Sequence, residues 1–577
     1  MMAHPPESLN GRLVSSLSRR SFIRHSVLAC AAAALPSGYA QSNEADVVET
    51  TAGKVRGARV GGICTFKRIP YGASTAGTNR FMPPKAPVAW AGVRDVFELG
   101  PQCLQRRGRT PSTQRPPNDP EFSKEIAFVH QGISPTGLIV YSEDCLALNV
   151  WSPGLDQSKR PVMVWCHGGG FAGGSGGQPW CDGSNFACAH DVVVVTLNHR
   201  LNFLGYLYLG ELNPEKYADS GNVGMLDIAA ALGWVRDNIA NFGGDPGNVT
   251  IAGHSGGVAK VGVLLAMPAA KGLFHKAIVQ SGYALRMLPR VDAAWQAELL
   301  VRKLGLTANT LDTLQTMPWD KVQAALDSVN ESMTGNPAAG PMSGASQFCY
   351  PVVDGRNLPA HPFDPGAPGV SAHVPLLMGN NESETTMLFG GGAFQIDESE
   401  LRVRVKQLVK LDESGAHDLI NAFRRNRQQE TPSDLFFAIS NAFLFRVPAI
   451  MQAERKAGQR RAPVYMSTFA WDAPAYGGKF RSSHGLSLPF MFRNLDKAPG
   501  LVGSDPDIRC LQLAQNASGA WAAFMRSGNP NSANLPEWKR YTVERRDTMV
   551  FDYDCKVVTT SDDEERHAIE PFVNPYA

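Results

Sequence analysis

Short apolar runs that stop at glycines alternate with stretches of helical periodicity along much of the chain. Pro161–Cys166, Asp191–Leu197, Asn248–Ala252 and Ala277–Gln280 read as strands, while Asp227–Ile239 and Val258–Met267 carry apolar residues at helical spacing between them. Those strands are almost continuously apolar instead of alternating. This predicts that both of their faces are buried, as in a largely parallel sheet covered by helices on each side. Val374–Met378 and Pro463–Phe469 read as further strands, and Ala294–Leu304, Leu401–Val409 and Leu511–Ser527 as helices. Near the start, Val47–Gly57 alternates apolar and polar residues like a hairpin. No composition break, internal repeat or low-complexity tract divides the chain beyond that point, so the expectation is one α/β domain over residues 47–577 with long inserted loops.

The first 40 residues read differently. Ser18-Arg-Arg-Ser-Phe-Ile-Arg24 resembles a twin-arginine export signal, the apolar stretch Ser26–Leu35 comes next, and Gly38-Tyr-Ala40 offers small residues at a cleavage site. Residues 1–40 are therefore expected to be a leader, 41–46 a linker, and the protein periplasmic or secreted. The apolar run is too short to span a bilayer, and no later apolar stretch is expected to approach the ~20 residues needed. A net charge of +2, from 55 basic and 53 acidic residues, gives no reason to expect nucleic acid or an acidic membrane surface as a partner. Charged residues make up only 19% of the chain, below the ~25% of an ordinary soluble domain, which fits a large and well-buried core. Export permits disulfides. Of ten cysteines, removal of Cys30 with the leader leaves an odd number, so at least one thiol is expected to be free or intermolecular.

Chemistry concentrates where strands end. Gly253-His-Ser-Gly-Gly257 fits G-x-S-x-G between a predicted strand and a predicted helix, the context of a nucleophile elbow whose sharp turn exposes Ser255 Oγ. Upstream, His167-Gly-Gly-Gly-Phe171 also lies just past a strand. Its glycines let backbone N–H groups approach a developing oxyanion. A serine needs a base. His254 is the immediate neighbour of Ser255 in a tight turn, so its side chain leaves in another direction, and His167 lies in a loop whose amides do the work. His484, in Ser482-Ser-His-Gly485 ahead of an apolar segment, is placed where a loop base can reach in. For the acid that orients the base, Glu382 and Glu384, just past the strand ending near Met378, compete with Asp354. The chain order serine, acid, histidine is that of α/β-hydrolases, and spacing does not choose between the glutamates.

From about Val47 to Trp538 the chain resembles the type-B carboxylesterase/cholinesterase family. Phe242–Gly257 resembles the family's serine signature, and Ser142–Pro153 its second signature, with Ala147 in place of the usual aromatic or threonine. Phe66–Tyr71, Arg80-Phe81 and Gly100–Cys103 add N-terminal matches. The resemblance implies an α/β-hydrolase fold, Glu384 as the acid, His484 as the base and Ser255 as the nucleophile. It further implies oxyanion amides at Gly169, Gly170 and Gly256, Ser281 in contact with the acid, and a Cys103–Cys145 disulfide. Arg200 with Asp227 and Arg80 with Glu143 resemble structural ion pairs. Two departures bear on substrate. His254 stands where the family commonly has glutamate, and residues 104–144 contain no tryptophan, which argues against a choline ester. The run through Lys260-Val261 and Met267–His275 is similar to bacterial carboxylesterases.

The expectation is an exported serine carboxylesterase acting on a small-molecule ester, without metal or organic cofactor, with Phe171 and His254 shaping its pocket. An amide or carbamate hydrolase using the same triad is the alternative, and a non-catalytic binding member of the family a more distant one. The sequence sets no oligomeric state.

Overall fold

Residues 46–106, 139–332, 350–560 and 563–573 are described by the computed structural model, so residues 1–40, where a leader is expected, lie outside the described residues. Ala45–Ala577 pack as one compact unit. Its scaffold is a 13-stranded sheet. The N-terminal strands are β1 (Asp46–Thr50), β2 (Gly53–Val60), β3 (Ile63–Pro70) and β4 (Val93–Asp95). The centre is built from β5 (Ala147–Ser152), β6 (Arg160–Cys166), β7 (Val193–Leu197), β8 (Gly244–His254) and β9 (Lys276–Gln280). The far side holds β10 (Leu376–Asn381), β11 (Val464–Phe469), β12 (Thr548–Phe551) and β13 (Lys556–Val558). The order is β1-β2-β3-β5-β7-β6-β8-β9-β10-β11-β12-β13, with β4 on β2. Hence the expected parallel run exists from β7 through β12, and antiparallel pairs close both edges. The predicted hairpin is β1–β2, and it begins at Asp46, inside the stretch expected to be linker.

The continuous apolar runs have the predicted cause. Along β6, Val162, Val164 and Cys166 enter one core while Met163 and Trp165 enter the other, and Val193, Val195 and Val194 divide likewise on β7. Each core is covered by helices, among them α1 (Val223–Asn238) and α2 (Gly256–Ala266) on one side and α4 (Ile508–Ser527) on the other. Both expected ion pairs form. Arg200 and Asp227 meet at 2.6 Å with side chains 1% and 0% exposed, and Arg80 chelates Glu143 while donating to Leu314 O and Met317 O. Buried charge is tolerated where geometry and extra hydrogen bonds satisfy it, and here Arg200 also donates to Met82 O, so the two pairs tie the loop around Arg80 and Met82 to α1 and to residues 314–317.

One expectation is corrected. The helix α3, Pro432–Gly458, is long and apolar enough by length and composition to cross a membrane, and most of its apolar window is buried within the protein. Pro448 falls inside this helix, although proline lacks an N–H and clashes with the carbonyl four residues back. A π turn over Ala442–Arg446 widens the helix just ahead of Pro448 and lets it continue.

Candidate functional site

Ser255 sits where β8 ends and α2 begins, with φ 56° and ψ −124°, a conformation that non-glycine residues rarely adopt. Its N–H donates to Gln280 O at 3.1 Å, and its carbonyl accepts from Val258 N at 2.8 Å, so the strain is held from both sides. The flanking glycines are required by packing. A Cβ on Gly253 would come within 2.5 Å of Gly257 backbone, and one on Gly257 within 2.1 Å of Cys166 O.

The glycine loop after β6 lies directly against this elbow. A Cβ on Gly256 would fall 2.3 Å from Gly170 N, and one on Gly168 would fall 3.5 Å from Ser255 Cβ. Gly169 and Gly170 adopt φ of 91° and 61°, open to glycine, which turns the chain so closely. Gly169, Gly170 and Gly256 therefore share one corner with Ser255, the last of them at the N-terminus of α2 where backbone N–H groups are unpaired by the helix. Phe171, expected to shape the pocket, is only 2% exposed. It sits beneath the loop, edge-on to Tyr206 and Tyr350 at ring distances of 5.0 and 5.1 Å.

The other half of the site comes from beyond β10. Glu384 is fully buried, and its two carboxylate oxygens have separate partners: Oε1 accepts Asn381 N–H at 2.6 Å and Oε2 lies 2.7 Å from His484 Nδ1. A carboxylate only accepts, so Nδ1 carries the proton and Nε2 is left as the acceptor. The loop bearing His484 is stitched to that bearing Glu384. Ser383 N–H donates to Ser482 O at 3.0 Å, His484 N–H to Glu384 O at 3.3 Å, and Asn381 Nδ2 to Ser483 O. The His484 ring stands 4.5 Å from the His254 ring and 5.3 Å from Phe445, which the π turn of α3 supplies. The base candidate is thereby packed onto the elbow's own histidine.

The rival residues do not share this arrangement. His254 has no carboxylate on its buried Nε2, and burial, then the neighbouring His484, hold it well below the usual imidazole range. His167 points its Nδ1 at Gly168 O, 2.8 Å away, and burial pushes it down to about 3. Glu382 is exposed. Asp354 spends its oxygens on Asn222, Asn357 and the N–H groups of Arg356, Asn357 and Leu358, which builds a turn.

Two expectations fail. Ser281 is buried at φ 62°, yet its Oγ has no hydrogen-bond partner, and the contacts found on the carboxylate of Glu384 are Asn381 N–H and His484 Nδ1. Cys103 and Cys145 are not joined. All eight cysteines among the described residues are free thiols, and these two stand side by side, with Cys145 hydrogen-bonded to Cys103 and held well above its ordinary value by that contact and by burial. Two further residues hold positions that the motifs do not announce. Asn381 spans the two loops, and no sequence pattern marks it. Lys260 is fully buried in α2 with its Nζ on two carbonyls of the glycine loop, and its signals are a lysine inside an apolar helix and its place in the run similar to bacterial carboxylesterases, neither of which gives it a role.

Comparison with known proteins agrees across the chain. The model of the carboxylesterase family matches residues 44–569. Para-nitrobenzyl esterase of Bacillus subtilis is 34% identical over 527 residues, covering 91% of this chain and 98% of that protein. Phenmedipham hydrolase of Pseudarthrobacter oxydans is 30% identical, covering 86% and 93%. Among solved structures, the Geobacillus stearothermophilus carboxylesterase EST55 superposes with a TM-score of 0.72 at 35% identity, over 90% of this chain and 99% of that one.

Proposed function

The chain belongs to the carboxylesterase family and is a carboxylic ester hydrolase with the α/β-hydrolase fold, and from that premise we propose that it works through an acyl-enzyme on Ser255. Ser255 Oγ attacks the acyl carbon as His484 Nε2 takes its proton. The N–H groups of Gly169, Gly170 and Gly256 receive the tetrahedral oxyanion. Collapse expels the alcohol, protonated by His484, and leaves the acyl group on Ser255. Water then enters, His484 takes one of its protons, and the second tetrahedral species releases the acid and restores the serine. Glu384 keeps the imidazole in the tautomer whose Nε2 is basic and stabilises its cation.

The observation that carries this reading is the pair of contacts on His484, 2.7 Å to Glu384 on one side and 4.5 Å ring-to-ring with the histidine preceding Ser255 on the other. Such placed general bases and oxyanion donors each supply about 10²- to 10⁴-fold in rate. Ser255→Ala should lower turnover of an aryl ester by about 10⁴-fold or more with an unchanged melting temperature. Intact turnover in that variant would refute the mechanism. The protein is proposed to prefer esters, so an aryl ester should be cleaved faster than the matching anilide, and the reverse order would make it an amidase.

The leader supports a second proposal, twin-arginine export to the periplasm or beyond. Replacing Arg19 and Arg20 by lysine should strand the precursor in the cytoplasmic fraction, and unchanged fractionation would remove the proposal.

A further inference from the structure

An N–H group points opposite to the carbonyl of its own peptide plane, so the aim of an oxyanion donor is set by whatever holds that carbonyl from behind. In the glycine loop every carbonyl from His167 to Gly170 is held. Gly168 O, in the plane of Gly169 N–H, lies 2.8 Å from His167 Nδ1. Gly169 O, in the plane of Gly170 N–H, accepts from Ala172 N at 3.3 Å and Gly173 N at 3.1 Å. The carbonyls on either side, His167 O and Gly170 O, accept from one group, Lys260 Nζ, at 2.9 and 2.8 Å. Lys260 is fully buried on α2, the helix that Ser255 starts, and its Nζ lies 5.5 Å from the Phe171 ring centre.

A buried ammonium is costly unless its surroundings compensate it, and no ion pair to Lys260 is present among the described residues. What faces it is Cys166 from β6, His167 from the loop, and His199 from the turn after β7, whose ring stacks on His167 at 5.1 Å. Burial, and secondarily the lysine itself, keeps both histidines far below their usual range, so they are neutral neighbours. Burial also pushes Lys260 down to about 7, and in either protonation state its nitrogen retains hydrogens to donate.

We propose that Lys260 is the positioning residue of the oxyanion hole: by gripping His167 O and Gly170 O it clamps both ends of the loop, so that the N–H groups of Gly169 and Gly170 converge beside Ser255. This rests on the acyl-enzyme reading above. It locks the loop to the helix that carries the nucleophile, so donor and nucleophile move as one body.

The test is Lys260→Met, which keeps the bulk and loses the donors, assayed with an aryl ester and with an aryl trifluoromethyl ketone that forms an oxyanion on the serine. The expected result is a fall in kcat of about 10- to 100-fold, KM within about twofold, and a parallel loss of ketone affinity, with Lys260→Arg restoring most of kcat. A kcat within about twofold of the parent, or a loss confined to KM, overturns the proposal. If Lys260→Met shows no cooperative thermal transition, Lys260→Arg and Lys260→Gln carry the comparison. A higher kcat for arginine at equal KM then supports the clamp, and equal values overturn it, as does failure of all three to fold. Ser255→Ala is measured alongside. An inactive serine variant beside fully active lysine variants removes only the clamp, whereas an active serine variant removes the acyl-enzyme reading itself.

Discussion

The two halves of the site are made of different material. Ser255 and the glycine loop form a backbone half, in which positive φ angles and van der Waals contact between main chains place the reactive groups. Glu384 and His484 form a side-chain half, in which two loops from β10 and beyond β11 are brought together by a handful of hydrogen bonds. In the first, the cost of an added methyl group is steric and large. In the second, shape tolerates substitution, and what is lost is a proton's address.

Gly257→Ala probes the backbone half most severely, since its Cβ would lie 2.1 Å from Cys166 O and neither main chain can yield. Activity should vanish and the melting temperature should fall by several degrees in a thermal scan. A folded, active alanine variant would show that the close packing is not needed. Glu384→Gln probes the other half. Its amide preserves volume but offers the imidazole the wrong tautomer, so kcat/KM should drop about 10³- to 10⁴-fold with little change in melting temperature. Retention of activity within about tenfold would hand the acid's role to another residue. Asn381→Ala removes the side-chain bond to Ser483 O but leaves the N–H bond to Glu384, and a loss of about tenfold in kcat with constant KM is expected from steady-state kinetics. The smallest effect is on stability against pH. His167 is held down to about 3 and His190 to about 4, in each case by burial first, and His199 and His254 are likewise held low. Between pH 6.5 and about 4 the unfolded chain binds protons at these sites that the folded chain refuses. Stability should therefore be complete above pH 6.5 and decline as the pH falls. Melting curves across that range should slope less in His190→Gln, whose ring lies away from the site against Ser518.

The same division explains how much can be read from the sequence. The backbone half is local: G-x-S-x-G and the three glycines after Cys166 are punctuation a short window contains, and the apolar runs of β6 to β9 announce their two buried faces. The side-chain half depends on strand order. Residue types leave Glu382, Glu384 and Asp354 open, and the family resemblance points to Glu384. The structure separates them because β10 delivers Glu384 inward, while Glu382 faces out and Asp354 is consumed by a turn. Ser281 and the cysteine pair show the converse, where a pattern is matched but the expected bond is absent: Ser281 Oγ has no partner, and the two cysteines adjoin without being joined. The helix across Pro448 is illegible for a third reason, because a π turn has no sequence signature comparable to a glycine or a cap.

The strand that leads into Ser255 lies deep inside the parallel run, with β6 and β9 hydrogen-bonded directly to it and further parallel strands beyond each of them. Fraying begins at edges, and this strand is among the last that fraying could reach. Its amides should exchange with deuterium only when the whole domain opens. The turn that bears Ser255 should accordingly keep its shape until the domain as a whole melts, and re-form with the sheet on cooling.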